Sequence, residues 1–292
     1  MATHSARRFV VIPLVVLLGA LLAWAGSQGG QHLGPVPLLA IAVAIAFLIQ
    51  WIAFLPAWKL QTERHFDLTG SLTYIAVTLF LLASVSDRGG RTYLLAAMVV
   101  MWAVRLGSFL FTRISRSGGD GRFDEIKPDT LRFLGVWTIQ GLWVSLTAAA
   151  AWIAMTSERA REVDVWAIVG LVIWLTGITI EVVADLQKST FNREHKGEFI
   201  SVGLWSRSRH PNYFGEILLW VGVLVVALPA LSGWQYVALL SPVFVTLLLA
   251  RVSGVPLLEK RAQEKWGDDP AYQSYVSRTP VLVPRLTQPR PE

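Results

Sequence analysis

Long apolar segments recur along almost the whole chain, and they restrict its fold more than any other feature. Eight of them approach or reach the ~17–25 residues that a helix needs to cross a bilayer. They lie near residues 9–25, 36–58, 70–85, 92–111, 131–155, 165–184, 214–230 and 234–250. The segments are longer and more uniformly apolar than the alternating strands of a membrane β-barrel. The sequence therefore predicts an all-α integral membrane protein, a bundle of seven to eight transmembrane helices.

Composition agrees with a membrane-embedded chain. Hydrophobic residues make up 53% of the sequence and charged residues 16%, and the mean hydropathy is +0.49. Soluble domains carry roughly 25% charged residues. The absence of cysteine excludes disulfides and thiolate metal sites. No grouping of His, Asp and Glu has a metal-ligand spacing, and the sequence lacks a P-loop, a G-x-G-x-x-G fingerprint and a serine nucleophile elbow. We expect no metal.

Positive charge is distributed unevenly between the two predicted sides of the membrane. With eight spans, 21 Lys and Arg residues fall on the side of both termini and 4 on the other, and Arg105 lies within a span. By the positive-inside rule, both termini are predicted to be cytoplasmic. The same bias explains the net charge of +6, so we expect membrane lipids and no nucleic acid as partners.

The first apolar segment allows two interpretations. Residues 1–35 form either an additional N-terminal transmembrane segment or a signal-like segment, because basic residues precede the apolar stretch and Ala23-Trp24-Ala25 resembles a cleavage site. Cleavage would leave seven spans. Residues 36–292 are predicted to form one membrane domain with a cytoplasmic C-terminal tail. That tail is expected to be amphipathic and then irregular, and to fold back beneath the bundle with Glu259, Arg261, Tyr272 and Tyr275.

Charged side chains interrupt the sixth span near its predicted cytoplasmic end. Glu181, Asp185, Lys188 and Asn192 recur every three or four residues and share one helical face. A ladder of salt bridges would explain Asp185 and Lys188. It would not explain two acids preceding the base inside an apolar helix, and ionisable groups within membrane spans favour function.

The next loop, GLWSRSRHPNYFGE, opens the seventh span. Pro211 suits the first helical position, and Asn212 and Glu216 lie one turn apart with Tyr213 beside them. A helix start preceded by arginines and His210 presents free N–H groups and positive charge to an anion such as phosphate. The alternative is that Glu216 complements the helix dipole and the arginines only obey the positive-inside rule.

Polar groups also occur in the third and fourth spans. Asp67, Ser71 and Tyr74 share one face of the third, and Arg105 follows Trp102 by one turn in the fourth. A tyrosine or aspartate inside a closed bundle can donate a proton. The alternative is a helix cap by Asp67 and an interfacial tyrosine.

Several of these segments resemble one membrane enzyme family. GLWSRSRHPNYFGE, the upstream ADLQKSTF, the downstream KWGDDPAYQSYVSRTPVLVP, and RLGSFLFTRI followed by DGRFDEIK are similar to the membrane steroid 5α-reductase family. The likeness is to its bacterial branch, formerly a domain of unknown function, and covers roughly residues 67–284. The RHPNY core is also similar to sterol C14- and C7-reductases and to isoprenylcysteine carboxyl methyltransferases.

The resemblance implies a multi-pass enzyme of lipid metabolism, expected in the bacterial inner membrane. Such an enzyme binds NADPH from the cytoplasm and reduces a C=C bond conjugated to a carbonyl in an apolar lipid from the bilayer, such as a 3-oxo-4-ene steroid. The residues expected to bind the cofactor are Glu181, Asp185, Lys188, Arg193, Arg209, His210, Asn212, Tyr213, Glu216, Arg251 and Tyr275. Glu181 departs from the family, since the steroid enzymes have asparagine there.

The residues expected near the substrate differ more from the pattern of the steroid reductases. Trp102 occupies the position of the family's catalytic tyrosine, no glutamine precedes Asp67, and an indole cannot protonate an enolate. We therefore expect Asp67 and Tyr74 to be the catalytic proton donors. Two alternatives stay open: a methyltransferase of the isoprenylcysteine type that uses S-adenosylmethionine, and a non-catalytic lipid-binding relative.

Overall fold

The chain is almost entirely helical. A computed structural model describes residues 2–117, 121–159 and 162–285. Its helices are α1 Ala2–Gly26, α2 Leu38–Lys59, α3 Phe66–Ser84, α4 Gly90–Ser117, α5 Thr130–Thr156, α6 Val165–Glu194, α7 Pro211–Ala227, α8 Leu240–Leu247, α9 Val255–Trp266 and α10 Pro270–Arg278. Strands β1 (His32–Leu33) and β2 (Val36–Pro37) form a hairpin in the turn between α1 and α2.

Within the described ranges, seven helical segments are long and apolar enough to cross a membrane. They are Leu38–Lys59, Phe66–Ser84, Gly90–Leu110, Thr130–Thr156, Val165–Glu194, Pro211–Ala230 and Gly233–Trp266. A shorter apolar helix, Val10–Gly26, corresponds to the first predicted segment. The predicted all-α membrane fold with seven to eight spans is thereby confirmed. The cytoplasmic placement of the termini stays a prediction.

The chain divides into two compact units. The first extends to Ala167 and includes Val226–Ser241, whereas the second contains Ile168–Val225 and continues from Pro242. The second unit therefore contains most of α6, α7 and α8, and all of α9 and α10. It also contains every residue that the sequence assigns to the cofactor.

The first unit is organised around α5, which is buried along most of its second half. Phe47 of α2 is held between two glycines, since a methyl group at Gly19 or Gly141 would lie 2.7 or 3.0 Å from its ring. Arg91 is only 2% exposed, and it is paired with Asp164 at 2.9 Å and donates to the carbonyl of Glu162. These partners are needed because a buried, uncompensated guanidinium would be strongly destabilising.

In the second unit, α6 and α7 pack backbone to backbone. A methyl group at Gly215 would lie 2.6 Å from the Gly177 carbonyl oxygen, and one at Gly222 would lie 2.6 Å from the Trp174 nitrogen. Small residues permit this close approach of helices in a membrane. The contact fixes the polar face of α6 directly beside the start of α7.

The C-terminal tail is more regular than the sequence suggested. The expected amphipathic part is α9, but the segment expected to be irregular contains a second helix, α10. Asp269 caps α10 by accepting a hydrogen bond from the backbone of Ala271 at 2.8 Å, and Pro270 occupies its first turn. The prediction failed here because Asp-Pro is itself a helix-start signal.

Candidate functional site

A pocket of about 250 Å³ lies in the second unit. It is bounded by the end of α6, the segment 198–210, α9 and α10. Its basic residues are Lys188, Arg209, His210, Arg261 and Lys265, its acidic residues are Glu198 and Glu259, and its aromatic residues are Phe199, Trp205, Trp266, Tyr272 and Tyr275. With histidine neutral, four cations face two carboxylates, so the lining is net positive.

One wall of the pocket is anchored by Trp205, in the short 3-10 turn Gly203–Ser206. The Trp205 indole donates to the Ala184 carbonyl of α6 at 3.0 Å, and the Tyr275 hydroxyl donates to the Trp205 carbonyl at 2.7 Å. Gly203 adopts a φ of 62° and lies against the Gln187 side chain, so a larger residue would be both strained and crowded. These contacts fix the loop between the membrane end of α6 and the tail.

An aromatic cluster that includes Tyr275 forms another part of the lining. The Phe199 ring lies 5.2 Å from Tyr272, 5.6 Å from Tyr275 and 6.1 Å from Trp266 between centroids, and the Trp266 indole donates to the Gly197 carbonyl at 2.8 Å. Burial raises the pKa of both the Tyr272 and the Tyr275 phenol above the ordinary value. Both therefore stay neutral hydroxyls at physiological pH.

Glu259 organises the positive charge at the centre of the pocket. It accepts a hydrogen bond from Arg209 Nη1, and its other oxygen lies 2.6 Å from His210 Nε2. Arg209 Nε and His210 Nδ1 are buried and have no hydrogen-bond partner among the described residues. The carboxylate therefore bonds to only one nitrogen of each side chain, and the other two nitrogens, Arg209 Nε and His210 Nδ1, are enclosed by protein.

Two lysines are oriented by the aromatic walls. Lys188 Nζ lies 4.6 Å above the Trp205 ring, and Lys265 Nζ lies 4.4 Å above the Trp266 ring. Such cation–π contacts hold an ammonium without neutralising it with an anion. Both lysines belong to the lining of the pocket.

A polar pair joins α6 to α7 next to this pocket. Asn212 Nδ2 donates to Asp185 Oδ1 at 3.2 Å, while Asn212 Oδ1 is buried with no hydrogen-bond partner among the described residues. Glu181 is buried beside Gly215. The helix begins at Pro211 as predicted. Acids from α6 and an amide from α7 therefore share one surface.

Some of the predicted cofactor residues line the pocket and others do not. Lys188, Arg209, His210 and Tyr275 line the pocket. Tyr213 stacks on the His210 ring at 5.6 Å and 11°, and its own ring abuts Gly254.

The remaining predicted residues lie elsewhere in the second unit. Glu216 lies in the second turn of α7. Arg193 is exposed near the end of α6 and donates to Thr190, and Arg251 is exposed in the π-helical turn Leu248–Val252. Neither arginine is among the residues that line this pocket within the described part of the chain.

Sequence reasoning did not assign Phe199, Trp205, Lys265 and Trp266 to the site. The sequence did contain a signal for the two residues of α9. One face of that helix carries Leu258, Ala262 and either Lys265 or Trp266 at helical spacing. Trp205 and Phe199 lie in irregular segments, where periodicity gives no information.

The predicted proton donors lie in the first unit. Tyr74 is buried in α3 with its ring edge-on to Trp102 of α4, at 5.0 Å between centroids and 83° between planes. Asp67 is half-buried in the first turn of α3. The sequence analysis missed Gln50, a fully buried residue of α2 whose Nε2 donates to Thr73 at 2.7 Å. Gln50 and Thr73 thus form a buried polar pair between α2 and α3.

One protein family matches this chain over most of its length. Residues 53–279 match the family described as "Protein of unknown function (DUF1295)". The chain is also similar to an uncharacterized protein of Schizosaccharomyces pombe, with 24% identity over 228 residues, which is 67% of this chain and 64% of the relative. The chain thus spans less than two thirds of that relative's length. No solved structure matches.

Proposed function

The chain belongs to the DUF1295 family, whose function is unknown, and we propose that this chain is an NADPH-dependent membrane reductase. Its substrate would be an apolar lipid with a C=C bond conjugated to a carbonyl, such as a 3-oxo-4-ene steroid. The observation that carries the proposal is the pocket of the second unit, which combines a net positive lining with an aromatic cluster. That combination suits a phosphorylated compound with a flat ring.

The donor set fits the phosphate-bearing end of NADPH. Arg261 and Lys265 line the pocket and supply exposed positive charge, and Arg209 also lines it with its guanidinium paired to Glu259. Aromatic side chains bind heterocycles by stacking. The volume of about 250 Å³ is below the ~300–1,000 Å³ typical of whole-ligand pockets. We therefore assign it to the adenosine end of the dinucleotide rather than to all of it.

The polar surface between α6 and α7 would hold the uncharged parts of the cofactor. The Asp185–Asn212 pair and Glu181 offer carboxylate and amide oxygens, which accept from ribose hydroxyls and from a carboxamide N–H. When bound, NADPH supplies the hydride that reduces the alkene. The role of these residues is to bind and orient it.

Proton delivery is assigned to the first unit. The Tyr74 phenol, buried against Trp102, would donate a hydrogen bond to the oxygen of the substrate carbonyl as it gains negative charge, and Asp67 would assist. A preorganised donor of this kind contributes about 3–4 kcal/mol to transition-state stabilisation.

The charge of the pocket also favours a reductase over a methyltransferase. S-adenosylmethionine carries a sulfonium cation and no phosphate, so a lining with four cations and two carboxylates disfavours it. A non-catalytic lipid-binding protein would not need a basic and aromatic pocket of this kind.

Titration of the detergent-purified chain with NADPH, NADH and S-adenosylmethionine, followed calorimetrically, tests the proposal. NADPH is expected to bind most tightly, with NADH weaker because the basic residues lose the 2′-phosphate. Turnover is then followed by NADPH oxidation with steroid, quinone and fatty enones. Preferential binding of S-adenosylmethionine would establish the methyltransferase alternative, and binding of neither nucleotide would overturn the reductase.

A further inference from the structure

A second and larger cavity lies in the first unit, between α1 and α2. Its volume is about 600 Å³, within the ~300–1,000 Å³ range of sites for small organic ligands. The lining is apolar except at one end. All its residues lie between Val16 and Trp51, ahead of the segment 53–279 that matches the family. The family match therefore assigns no role to this groove.

The groove is preformed by two close contacts between α1 and its neighbours. Gly19 lies against the Phe47 ring, and Gly26 lies against the side chains of Leu39 and Ile153. These contacts fix the spacing of α1 and α2. Between them, the lining includes alanines from both helices, Ala20, Ala23, Ala40 and Ala44. Their short side chains leave a space that the helices cannot close.

One end of the groove is polar but uncharged. Ser27 lines it and is only 7% exposed, and Ser27 Oγ has no hydrogen-bond partner among the described residues. The Gln28 amide lines the same end. A buried hydroxyl without a partner costs free energy, so a ligand atom that hydrogen-bonds to it would be stabilised. No Lys, Arg, Asp or Glu occurs in the lining, which disfavours a phosphate or carboxylate head group.

Two exposed tryptophans indicate how the groove is oriented relative to the membrane. Exposed Trp24 lines the polar end and packs against exposed Trp234 at 5.6 Å. Exposed tryptophans of this kind favour the level of the lipid head groups. From Pro37 to Trp51, α2 rises about 20 Å, so the apolar part of the groove extends from that level into the hydrocarbon layer.

We propose that this groove binds a neutral single-tail lipid. Its hydroxyl or carbonyl head hydrogen-bonds to Ser27 Oγ, and its hydrocarbon tail lies along α2 toward Trp51. The ligand comes from the bilayer, because most of the groove is lined by apolar residues. This site is separate from the nucleotide pocket and does not depend on the proposed reductase activity.

The test uses a monoacylglycerol that carries a photoactivatable diazirine in its acyl chain, added to the full-length protein in detergent. After irradiation, labelled peptides are identified by mass spectrometry. Labelling is expected to concentrate on the segments 16–28 and 37–51. Ala44→Phe, which fills the groove, is expected to abolish that labelling. Ala97→Phe is the matched control, since Ala97 is an exposed residue of α4 outside the groove.

Ser27→Ala and a second probe examine the head group. Loss of one buried hydrogen bond is expected to weaken monoacylglycerol labelling roughly two- to tenfold. A lysophosphatidylcholine with the same diazirine-bearing chain is expected to label the groove poorly. The proposal is overturned if labelling is spread over all lipid-exposed helices, if Ala44→Phe behaves as Ala97→Phe, or if the charged and neutral probes label equally.

Discussion

The ring of Tyr74 packs edge-on against the Trp102 indole, with 5.0 Å between the two centroids. The resemblance to the steroid reductases would place Trp102 where they have a catalytic tyrosine, and the structure has a phenol beside Trp102, on α3 instead of α4. An indole N–H is not acidic enough to protonate an enolate. If the chain reduces an enone, Tyr74 is therefore the neighbouring group whose chemistry matches the missing one.

Substitution of Tyr74 by Phe is expected to slow NADPH-dependent reduction by about 100- to 1,000-fold. The phenylalanine ring keeps the contact with Trp102, so folding should be preserved while the hydroxyl is lost. Asp67→Asn is expected to slow turnover as well. The control is Tyr93→Phe, at an exposed tyrosine of α4. If a substrate is turned over and both variants keep the full rate, the assignment of the proton donors is wrong.

Removal of positive charge from the proposed nucleotide pocket of the second unit should reduce NADPH affinity more than NADH affinity. Arg261→Gln combined with Lys265→Gln is expected to weaken NADPH binding by roughly tenfold, the scale of charge-assisted hydrogen bonds. NADH should be affected less, because it lacks the 2′-phosphate, and the difference should shrink at high salt. Lys59→Gln, at an exposed lysine outside the pocket, is the control. Equal losses for NADPH and NADH in calorimetric titrations would contradict this placement of the phosphate.

The polar surface of α6 and α7 gives a second binding prediction. Asn212→Ala and Glu216→Ala are each expected to weaken NADPH binding by about 1–3 kcal/mol, the cost of leaving buried polar groups unpaired. Asn212→Ala also removes the hydrogen bond to Asp185. Glu194→Ala, at the exposed end of α6, should have no effect. Unchanged affinity in both test variants would exclude this surface from the cofactor site.

The sequence predicted the features that depend on periodicity. Apolar runs indicated the helices, and the four-residue spacing of Glu181 and Asp185 placed two acids on one face of α6, which the structure sets beside Gly215 and Asn212 of α7. The walls of the pocket could not be predicted in the same way. The hydrogen bond from Tyr275 to the Trp205 carbonyl joins residues 70 positions apart, and no local pattern encodes such a contact.

The predicted orientation in the membrane is testable at the two ends of one helix. α6 has 30 residues, about 45 Å at 1.5 Å per residue, which is enough to cross a bilayer. A single cysteine at exposed Lys196 should react with an impermeant maleimide only from the cytoplasmic side, and one at exposed Val163 only from the other side. Labelling of Lys196→Cys in intact cells would contradict the predicted topology. It would also contradict the expectation that NADPH reaches its site from the cytoplasm.

The packing of α6 on α7 gives the last prediction, for stability. A methyl group at Gly215 would lie 2.6 Å from the Gly177 oxygen and 2.7 Å from the Glu181 nitrogen. Both are backbone atoms, so Gly215→Ala is relieved only if the helices separate, at about 1–3 kcal/mol. Gly135→Ala in α5 is the control, because its methyl group enters open space. There, loss of a helical glycine should stabilise the protein by about 0.5–1 kcal/mol.

Thermal unfolding of both variants in one detergent separates these outcomes, with Gly215→Ala expected to melt below the unmodified protein and Gly135→Ala at or above it. NADPH titration adds a second measurement. Since Gly215 abuts Glu181, separation of the helices should also weaken cofactor binding in Gly215→Ala, whereas Gly135→Ala should bind normally. If the two variants melt together, α6 and α7 do not meet at Gly215, and the polar surface assigned to the cofactor lacks its supporting contact.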